Sequence, residues 1–373
     1  MTNTSVDPEG LQEFSVVFTD RSLNHMSVVF QGVMRDLSTG LREVYGAHAV
    51  AVVPGGGTYG MESVARQVAQ GKHALVLRNG FFSYRWSQIF DFGSFARETT
   101  VVKARRTGND PQSPFAPAPI DEVVAQIRSA RPDVVFAPHV ETASGIILPD
   151  DYIAAMAQAA HEVGAIMVLD CIASGCIWVD MAATGVDILI SAPQKGWSST
   201  PAAGIVMMSE KGLARVNAGE SNSFALDLKK WRAIMEAYEN GGHAYHATMP
   251  TDSLRQFRDT LIETRDWGYD KAKAAQWELG TKVRAMFAEK GVKSVAAEGF
   301  AAPGVVVNYT TDPQVQNGAV FREKGMQIAA GVPLQVEEGA DFKSFRIGLF
   351  GLDKLYDVAG TVTRLKTVVD QVL

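Results

Sequence analysis

Residues 165–170 read AIMVLD and residues 187–195 read DILISAPQK, and these two stretches decide the predicted fold. Each contains a short apolar run that ends in polar residues, which is typical of a strand buried in a parallel sheet. Further apolar runs at residues 47–53, 73–77, 134–137 and 204–208 alternate with helical patterns such as 61–70, 120–129 and 151–163. This alternation predicts an α/β fold with a mostly parallel sheet covered by helices.

The alternation of strands and helices ends near residue 210. A helical pattern over residues 253–290, with a break near Trp267-Gly268, precedes strand-like residues 304–309 and 344–349 and helical residues 312–324 and 354–373. We therefore expect a large domain at residues 1–260 and a smaller C-terminal α+β domain at residues 261–373.

The composition narrows the possible classes of function. With 35 basic and 41 acidic residues the formal net charge is −6, which argues against nucleic acid as a partner. No apolar run approaches the roughly 20 residues of a membrane span, and the polar N-terminus does not resemble a secretion signal. The two cysteines, Cys171 and Cys176, are too few for a disulfide framework. We expect a cytoplasmic protein without a membrane, nucleic-acid or metal partner.

The glycine-rich loop GGGTYG at residues 55–60 follows the first apolar run and opens a helical pattern. Free backbone N–H groups at a helix N-terminus suit a phosphate, although such a loop can also be a plain turn. Gly55, Gly57 and Gly60 also match the dinucleotide motif G-x-G-x-x-G. That motif requires an acidic residue about 20 positions later, where residues 77–80 read LRNG. Phosphate binding is therefore favoured over NAD binding.

Asp170 and Lys195 each lie just beyond a predicted strand, where the ligands of such sheets bind. Alone, Asp170 is equally consistent with a loop or helix cap, and Lys195 with a solvated surface charge. Together, downstream of a phosphate-type loop, they fit pyridoxal phosphate (PLP). A lysine amine can hold PLP as a Schiff base, and an aspartate beside the pyridine nitrogen keeps that nitrogen protonated.

These residues and four further motifs resemble the class V aminotransferases of PLP fold type I, particularly the alanine–glyoxylate and serine–glyoxylate aminotransferase group. The resemblance extends from about Arg21 to the C-terminus. In it, Asp170 matches the partner of the pyridine nitrogen, and Gln194-Lys195 matches the pair that carries the Schiff base. The further motifs are NGFFSYR at 79–85, HVETASG at 139–145, YHATMP at 245–250 and FRIGLFG at 345–351.

The resemblance also implies how the rest of the cofactor is bound. Gly56, Gly57 and Thr58 correspond to residues that bind its phosphate. Phe82 corresponds to the aromatic residue whose ring lies on the pyridine ring, a sound contact for an aromatic face. Thr142 corresponds to a hydroxyl that bonds the 3-oxygen or the ring region of the cofactor.

Three residues carry the implied substrate and subunit contacts. Tyr245 and Thr248 match residues that reach the phosphate bound by the neighbouring subunit, which implies a homodimer with shared active sites. Arg346 matches the arginine that holds the substrate α-carboxylate, and a guanidinium binds a carboxylate through two parallel hydrogen bonds. Out of this context, an arginine in an apolar strand is more often paired with an acidic residue.

We therefore expect a PLP-dependent aminotransferase that moves an amino group between a small amino acid and a small 2-oxo acid of the glyoxylate or pyruvate type. A lyase that acts on a small amino acid by elimination is the alternative. Desulfuration is disfavoured, because the desulfurases carry histidine where this chain has Phe82 and Gln194. A non-catalytic dimer is disfavoured because the lysine, the aspartate and the arginine are all present.

The N-terminal segment departs from the family. The Gly-Pro-type stretch that lines the substrate pocket has no counterpart, and residues 14–26 read FSVVFTDRSLNHM, in which Arg21-Ser22 echoes the family. Asn24, His25 and Met26 are the candidates for substrate contacts there, and a structural role is the alternative for His25. The identities of the amino donor and acceptor stay open.

Overall fold

A computed structural model describes residues 6–373, and residues 1–5 of the predicted large domain lie outside the described residues. Strands and helices are numbered in chain order. The strands are β1 (Ala49–Pro54), β2 (His73–Arg78), β3 (Glu98–Lys103), β4 (Arg105–Arg106), β5 (Phe115–Ala116), β6 (Val134–Pro138), β7 (Val140–Glu141), β8 (Ile146–Ile147), β9 (Ile166–Asp170), β10 (Ile188–Ser191), β11 (Ala203–Met208), β12 (Val305–Tyr309), β13 (Ala329–Ala330) and β14 (Ser344–Gly348).

Seven strands form one sheet in the order β1-β11-β10-β9-β6-β2-β3. The strands from β10 to β3 run parallel, which confirms the prediction of a mostly parallel sheet. The exception is β11, the predicted strand at 204–208, which is antiparallel to both of its neighbours. The chain between β10 and β11 contains turns and no helix. Such a short connection returns the next strand antiparallel, because a parallel return requires a long crossover.

The helices cover both faces of this sheet and fill much of the C-terminal third. Across residues 6–373, no helix has both the length and the hydropathy of a membrane span. The helices are α1 (Val28–Tyr45), α2 (Gly57–Val68), α3 (Phe81–Gly93), α4 (Ile120–Ala130), α5 (Asp150–Glu162), α6 (Met181–Thr184), α7 (Glu210–Ala218), α8 (Leu228–Glu239), α9 (Thr251–Trp267), α10 (Tyr269–Glu289), α11 (Pro313–Gln316), α12 (Ala319–Glu323), α13 (Leu352–Leu355) and α14 (Val358–Val372).

The break between α9 and α10 confirms the interruption predicted near Trp267-Gly268. Two other predicted helices were wrong as continuous elements. Residues 312–324 form α11 and α12, separated by Gly318, whose φ of 76° lies in the left-handed region that ends a helix. Residues 354–373 are interrupted before α14, which Asp357 begins by accepting a hydrogen bond from the Gly360 N–H over 2.9 Å.

Helix α3 was not predicted from the sequence, although it carries Phe82. Its first residues, FFSYRW, place aromatic side chains on several faces, so no apolar stripe of helical period is visible. Phe82 therefore lies in the first turn of a helix that begins directly after β2. This position fixes the ring at the carboxyl end of the sheet, beside the ends of β9 and β10.

The C-terminal part contains a small antiparallel sheet in the order β12-β14-β13. One hydrophobic cluster draws on residues between Leu23 and Leu261, and another, around the small sheet, draws mainly on residues between Ala272 and Val369. The predicted boundary between residues 260 and 261 falls inside α9. The division into two domains at that point stays a prediction.

Candidate active site

The loop between β1 and α2 presents the free end of a helix. Gly57 and Thr58 begin α2, so their N–H groups have no carbonyl one turn earlier to bond. A Cβ placed on Gly56 would meet no atom within 4 Å, so the space above this helix end is open. A Cβ on Gly57 would lie 2.5 Å from the side chain of Ile172, so a larger residue here would force that side chain to move. The predicted phosphate-binding residues thus lie at a helix N-terminus, a feature that is suited to an anion, and their binding of phosphate stays a prediction.

Asp170 ends β9 as a buried carboxylate without a cationic partner. Its Oδ1 accepts a hydrogen bond from the Ile172 N–H over 2.9 Å. Within residues 6–373, no lysine, arginine or histidine nitrogen lies within 4.0 Å of it. Burial raises the pKa of Asp170 to about 6, against smaller effects of the Ile172 hydrogen bond and of Lys195. A cationic ring nitrogen would supply the partner that this carboxylate lacks.

Lys195 lies in a tight turn just beyond β10. Gly196 follows it, and any Cβ there would overlap the carbonyl oxygen of Gly175, so the turn tolerates glycine alone. Ser198, at the end of the turn, accepts a hydrogen bond from the Leu352 N–H over 2.6 Å. This bond ties the lysine turn to the segment that follows β14.

The Lys195 amine is half-buried and carries an altered basicity. Nζ lies 5.9 Å from the centre of the Phe82 ring and 5.6 Å from that of Phe350. Burial lowers the pKa of Lys195; the charge of Asp170 opposes this shift and that of Arg346 adds to it. A lowered pKa increases the fraction of neutral amine, which is the nucleophilic and basic form.

The Phe82 ring is the meeting point of three cations. Besides Lys195, the guanidinium carbons of Arg85 and Arg346 lie 5.2 and 5.6 Å from the ring centre. Arg85 also donates a hydrogen bond to Thr58 Oγ1 over 2.9 Å, which joins the ring to the free end of α2. Residues predicted from separate motifs are therefore brought together at one place. They form one cluster, which consists of Thr58, Phe82, Arg85, Lys195, Arg346 and Phe350.

Arg346 lies in β14 with its guanidinium half-buried and unpaired. Its Nε donates to the Ala330 carbonyl over 2.8 Å. No carboxylate of residues 6–373 lies within 4.0 Å of its nitrogens, so the alternative of a structural ion pair is not observed among them. Burial lowers the pKa of Arg346, and the charge of Glu141 opposes this shift. An unpaired guanidinium beside Lys195 is suited to a carboxylate ligand.

Two other predicted cofactor residues are placed less distinctively. Thr142 is buried in the loop between β7 and β8. Gln194 is exposed immediately before Lys195. Their contacts with a cofactor stay predictions.

Tyr245 and Thr248 lie apart from this cluster, in the loop between α8 and α9. Their hydroxyl oxygens are 3.1 Å apart, and the Tyr245 ring packs 5.5 Å from the ring of His25. No hydrogen bond within residues 6–373 joins either hydroxyl to Lys195, Phe82 or Arg346. Both side chains are exposed, and their contribution to a neighbouring subunit stays a prediction.

The atypical N-terminal segment packs beside Tyr245. Asn24 Nδ2 donates to Glu13 Oε2 over 2.7 Å, so this side chain organises the segment itself. The His25 ring is buried, and its backbone carbonyl accepts a hydrogen bond from the Tyr238 hydroxyl over 2.9 Å. Met26 is exposed. The roles of Asn24, His25 and Met26 towards a substrate stay predictions.

Arg85, Glu141 and Phe350 were not assigned a role from the sequence. They lie inside the motifs at residues 79–85, 139–145 and 345–351, and this is the signal that could have found them. Their side-chain directions depend on α3 and on the turn after β14, which periodicity did not predict.

The fold and this cluster define a PLP-binding α/β protein, and comparison with known proteins gives its family. The profile described as Aminotransferase class-V matches residues 12–290. The chain therefore belongs to the class V aminotransferase family, whose members are PLP-dependent enzymes of fold type I.

Its relatives cover most of the chain. It is 24% identical over 354 residues to alanine–glyoxylate aminotransferase 1 of Saccharomyces cerevisiae, a match that covers 89% of this chain and 86% of the yeast protein. It is 26% identical over 358 residues to a 2-aminoethylphosphonate–pyruvate transaminase of Paraburkholderia phymatum, with 92% and 89% covered. The crystal structure of an alanine–glyoxylate aminotransferase from Nostoc sp. shares the fold, with a TM-score of 0.77, 20% identity, and 93% and 89% covered.

The residues present fit PLP in three respects. Gly57 and Thr58 begin a helix, and open space lies beside its cap residue Gly56, as a phosphate requires. Asp170 is a buried carboxylate that forms no ion pair with a cation of residues 6–373. The centre of the Phe82 ring lies 5.9 Å from Lys195 Nζ.

Proposed function

We propose that this chain is an aminotransferase that moves an amino group between a small amino acid and a small 2-oxo acid of the glyoxylate or pyruvate type, with PLP bonded to Lys195. The observation that carries the proposal is the position of the Lys195 amine, half-buried between Phe82 and Phe350, within reach of the charges of Asp170 and Arg346. Family membership supports amino-group transfer as the reaction. The position of the Lys195 amine supports this cluster as the site of the reaction.

Residues of the cluster and the nearby Asp170 have separate roles in the proposed reaction. PLP, when bound, supplies an electron sink that acidifies the Cα–H bond of the amino acid. Arg346 holds the α-carboxylate and so orients that bond. Lys195 Nζ, whose pKa burial lowers, takes the Cα proton as a general base and returns a proton as a general acid. Asp170 holds a proton on the pyridine nitrogen.

The relatives support the acceptor better than the donor. Their names give two different amino donors, alanine and 2-aminoethylphosphonate, and two acceptors, glyoxylate and pyruvate, which are both small 2-oxo acids. We propose an acceptor of this kind for the present chain. The unpaired Arg346 supports a donor that carries an anionic group beside the amine.

We also propose a homodimer in which Tyr245 and Thr248 complete the site of the partner subunit. Exposed apolar side chains of the N-terminal segment, Leu11, Phe14 and Val16, support a covered surface in the assembled protein. A cytoplasmic location remains a proposal from composition alone.

Sulfur chemistry has little support from the cysteines. Cys171 and Cys176, the two cysteines of the chain, are both buried. Burial raises the pKa of the Cys176 thiol to about 12 and that of the Cys171 thiol well above its usual value. Such thiols are not nucleophiles at neutral pH. Elimination by the same cluster is the alternative that an experiment has to separate.

The absorption spectrum of the purified protein tests the cofactor assignment. We expect a near-visible band in the wild-type chain with PLP and its loss in Lys195→Ala. Lys211→Ala is the matched control, because burial also lowers the pKa of Lys211 and this lysine bonds the Ala165 carbonyl far from the cluster. A wild-type chain that shows no such band after incubation with PLP and removal of the free cofactor would disprove the proposal.

Product analysis then separates transfer from elimination. Amino acids are supplied with and without glyoxylate or pyruvate. We expect the keto acid derived from the donor to accumulate catalytically only when an acceptor is supplied together with the donor. Sustained release of ammonia without an acceptor would replace the aminotransferase with the lyase.

A further inference from the structure

Glu141 is a fully buried carboxylate that the proposed reaction does not use. It lies at the end of β7, and four hydrogen-bond donors converge on it. Oε1 accepts from the N–H groups of Phe82 and Ala143 over 3.2 and 3.0 Å, and Oε2 accepts from the N–H and hydroxyl groups of Ser83 over 2.8 and 2.7 Å. Both oxygens act as acceptors, which is the pattern of an ionised carboxylate.

Three of these donors belong to the first turn of α3. The N–H groups at the start of a helix have no partner within the helix, and a carboxylate there also interacts favourably with the helix dipole. Glu141 therefore substitutes for a capping side chain, which the residue before the helix, Gly80, cannot provide. A Cβ on Gly80 would lie 2.6 Å from Glu141 Cγ, so glycine at this position makes room for the carboxylate.

The turn that Glu141 holds carries the ring of the cluster. Phe82 is one of the two residues whose N–H groups bind Glu141 within α3, and Arg85 lies three residues later on the same helix. A movement of this turn would displace the Phe82 ring relative to Lys195, which belongs to a different loop. The contacts of Glu141 thus fix the distance between the ring and the amine.

We propose that Glu141 is a positioning residue that sets the face on which the cofactor ring rests, by clamping the first turn of α3. The inference rests on the proposed PLP site and names a determinant of ring binding within it. It predicts that loss of the clamp weakens the binding of any ligand that uses the ring face, whether or not the ligand carries a phosphate.

Two variants separate position from charge. Glu141→Gln keeps the length of the side chain, but its NH₂ group faces donors whichever way the amide is turned. Glu141→Asp keeps the charge and withdraws it from α3 by one methylene. We expect both variants to bind PLP and pyridoxal, which lacks the phosphate, about tenfold more weakly, because buried donors lose their acceptor. The loss is the same for the two ligands.

Hydrogen exchange supplies a readout that needs neither ligand nor activity. In the apoprotein we expect faster amide exchange in the peptide that contains Phe82 and Ser83 in both variants, with the rest of α3 unchanged. Asp187→Asn is the matched control: Asp187 is a buried carboxylate at the amino end of β10 that accepts from the Met167 N–H over 2.8 Å. We expect this variant to have a lower melting temperature and wild-type affinity for both ligands.

The outcomes are distinguishable. Wild-type affinity for both ligands in Glu141→Gln and Glu141→Asp would overturn the inference, and so would a loss confined to PLP, which would place the effect at the phosphate. If the Glu141 variants do not fold, Ser83→Ala removes one donor from the clamp and is expected to weaken both ligands equally by about threefold. Unchanged binding in Ser83→Ala would then overturn the inference. A wild-type chain that binds neither ligand would disprove the proposed function itself.

Discussion

Arg85 donates a hydrogen bond from Nη1 to Thr58 Oγ1 over 2.9 Å, and this contact joins the N-terminal turns of α2 and α3. Because the Thr58 oxygen accepts this bond, the proton of its own hydroxyl is free to point elsewhere. Open space lies above the neighbouring Gly56. A cation and a hydroxyl donor thus border the helix end that we propose binds the cofactor phosphate.

Arg85→Gln should therefore weaken PLP binding by about tenfold, the effect of a charge-assisted hydrogen bond. Pyridoxal binding should stay within about twofold of the wild type, because pyridoxal has no phosphate. Titration of both ligands into the apoprotein measures the ratio of the two affinities. Arg66→Gln is the matched control: Arg66 lies on α2 and its guanidinium is 5.3 Å from the ring of Phe95. Equal weakening of both ligands in Arg85→Gln would contradict the prediction.

Asp170→Asn should stabilise the apoprotein and impair the enzyme. Burial raises the pKa of Asp170 in the folded state to about 6, above the ordinary value of 3.8. The folded state therefore binds more protons between pH 4 and 6, and stability falls as the pH rises through that window. The full shift of the pKa corresponds to a loss of about 3 kcal/mol in the free energy of unfolding, and this loss is present above pH 6. Asp170→Asn removes the charge and should therefore recover the lost stability.

Melting curves of the two apoproteins between pH 4.5 and 7.5 measure this effect. We expect the advantage of Asp170→Asn to grow with pH and to reach a few degrees at pH 7.5. With PLP and substrates the same variant should lose about a hundredfold or more in rate. An apoprotein that is less stable than the wild type at pH 7.5 would show that Asp170 already has a cationic partner in the fold.

Residues that follow an apolar run could be predicted from the sequence, whereas the contacts made by the first turn of α3 could not. Asp170 and Lys195 could be found because an apolar run ends just before each of them, and strand ends of a parallel sheet meet at one edge. Phe82 was assigned through a motif, while the helix that orients it was not predicted. The contacts of Glu141 are long-range in sequence and follow from no periodic pattern. Residue pairs of this kind become visible only when α3 has been placed against β7.

Arg346→Gln should raise the KM for the amino acid donor by about ten- to a hundredfold with PLP binding unchanged, because a charged hydrogen-bonding partner of the substrate carboxylate is lost. The reaction of the PLP form with amines tests the cause. An amine without a carboxylate should react equally fast with Arg346→Gln and with the wild type. The amino acid should react faster than this amine in the wild type and no faster in the variant. Arg346→Lys should recover part of the loss, since it restores the charge without the paired donors. Equal losses for both amines would contradict the assigned role.

Subunit mixing tests whether Tyr245 serves the partner. Lys195→Ala and Tyr245→Ala chains should each be impaired alone. If the sites are shared, a mixed dimer has one intact site, built from the Lys195 of one chain and the Tyr245 of the other. Unfolding and refolding an equal mixture makes half of the dimers mixed, so activity should return to about a quarter of the wild type.

The matched control is a chain that carries both Lys195→Ala and Tyr245→Ala. This chain is refolded in an equal mixture with the wild type. There the mixed dimer has Lys195 and Tyr245 on the same wild-type chain, so no site contains both when the residues act across subunits. The mixed dimers of this control should therefore be impaired, and its activity should approach the quarter due to wild-type homodimers alone. The reverse pattern, with no recovery in the first mixture and active mixed dimers in the second, would place Tyr245 in the site of its own chain.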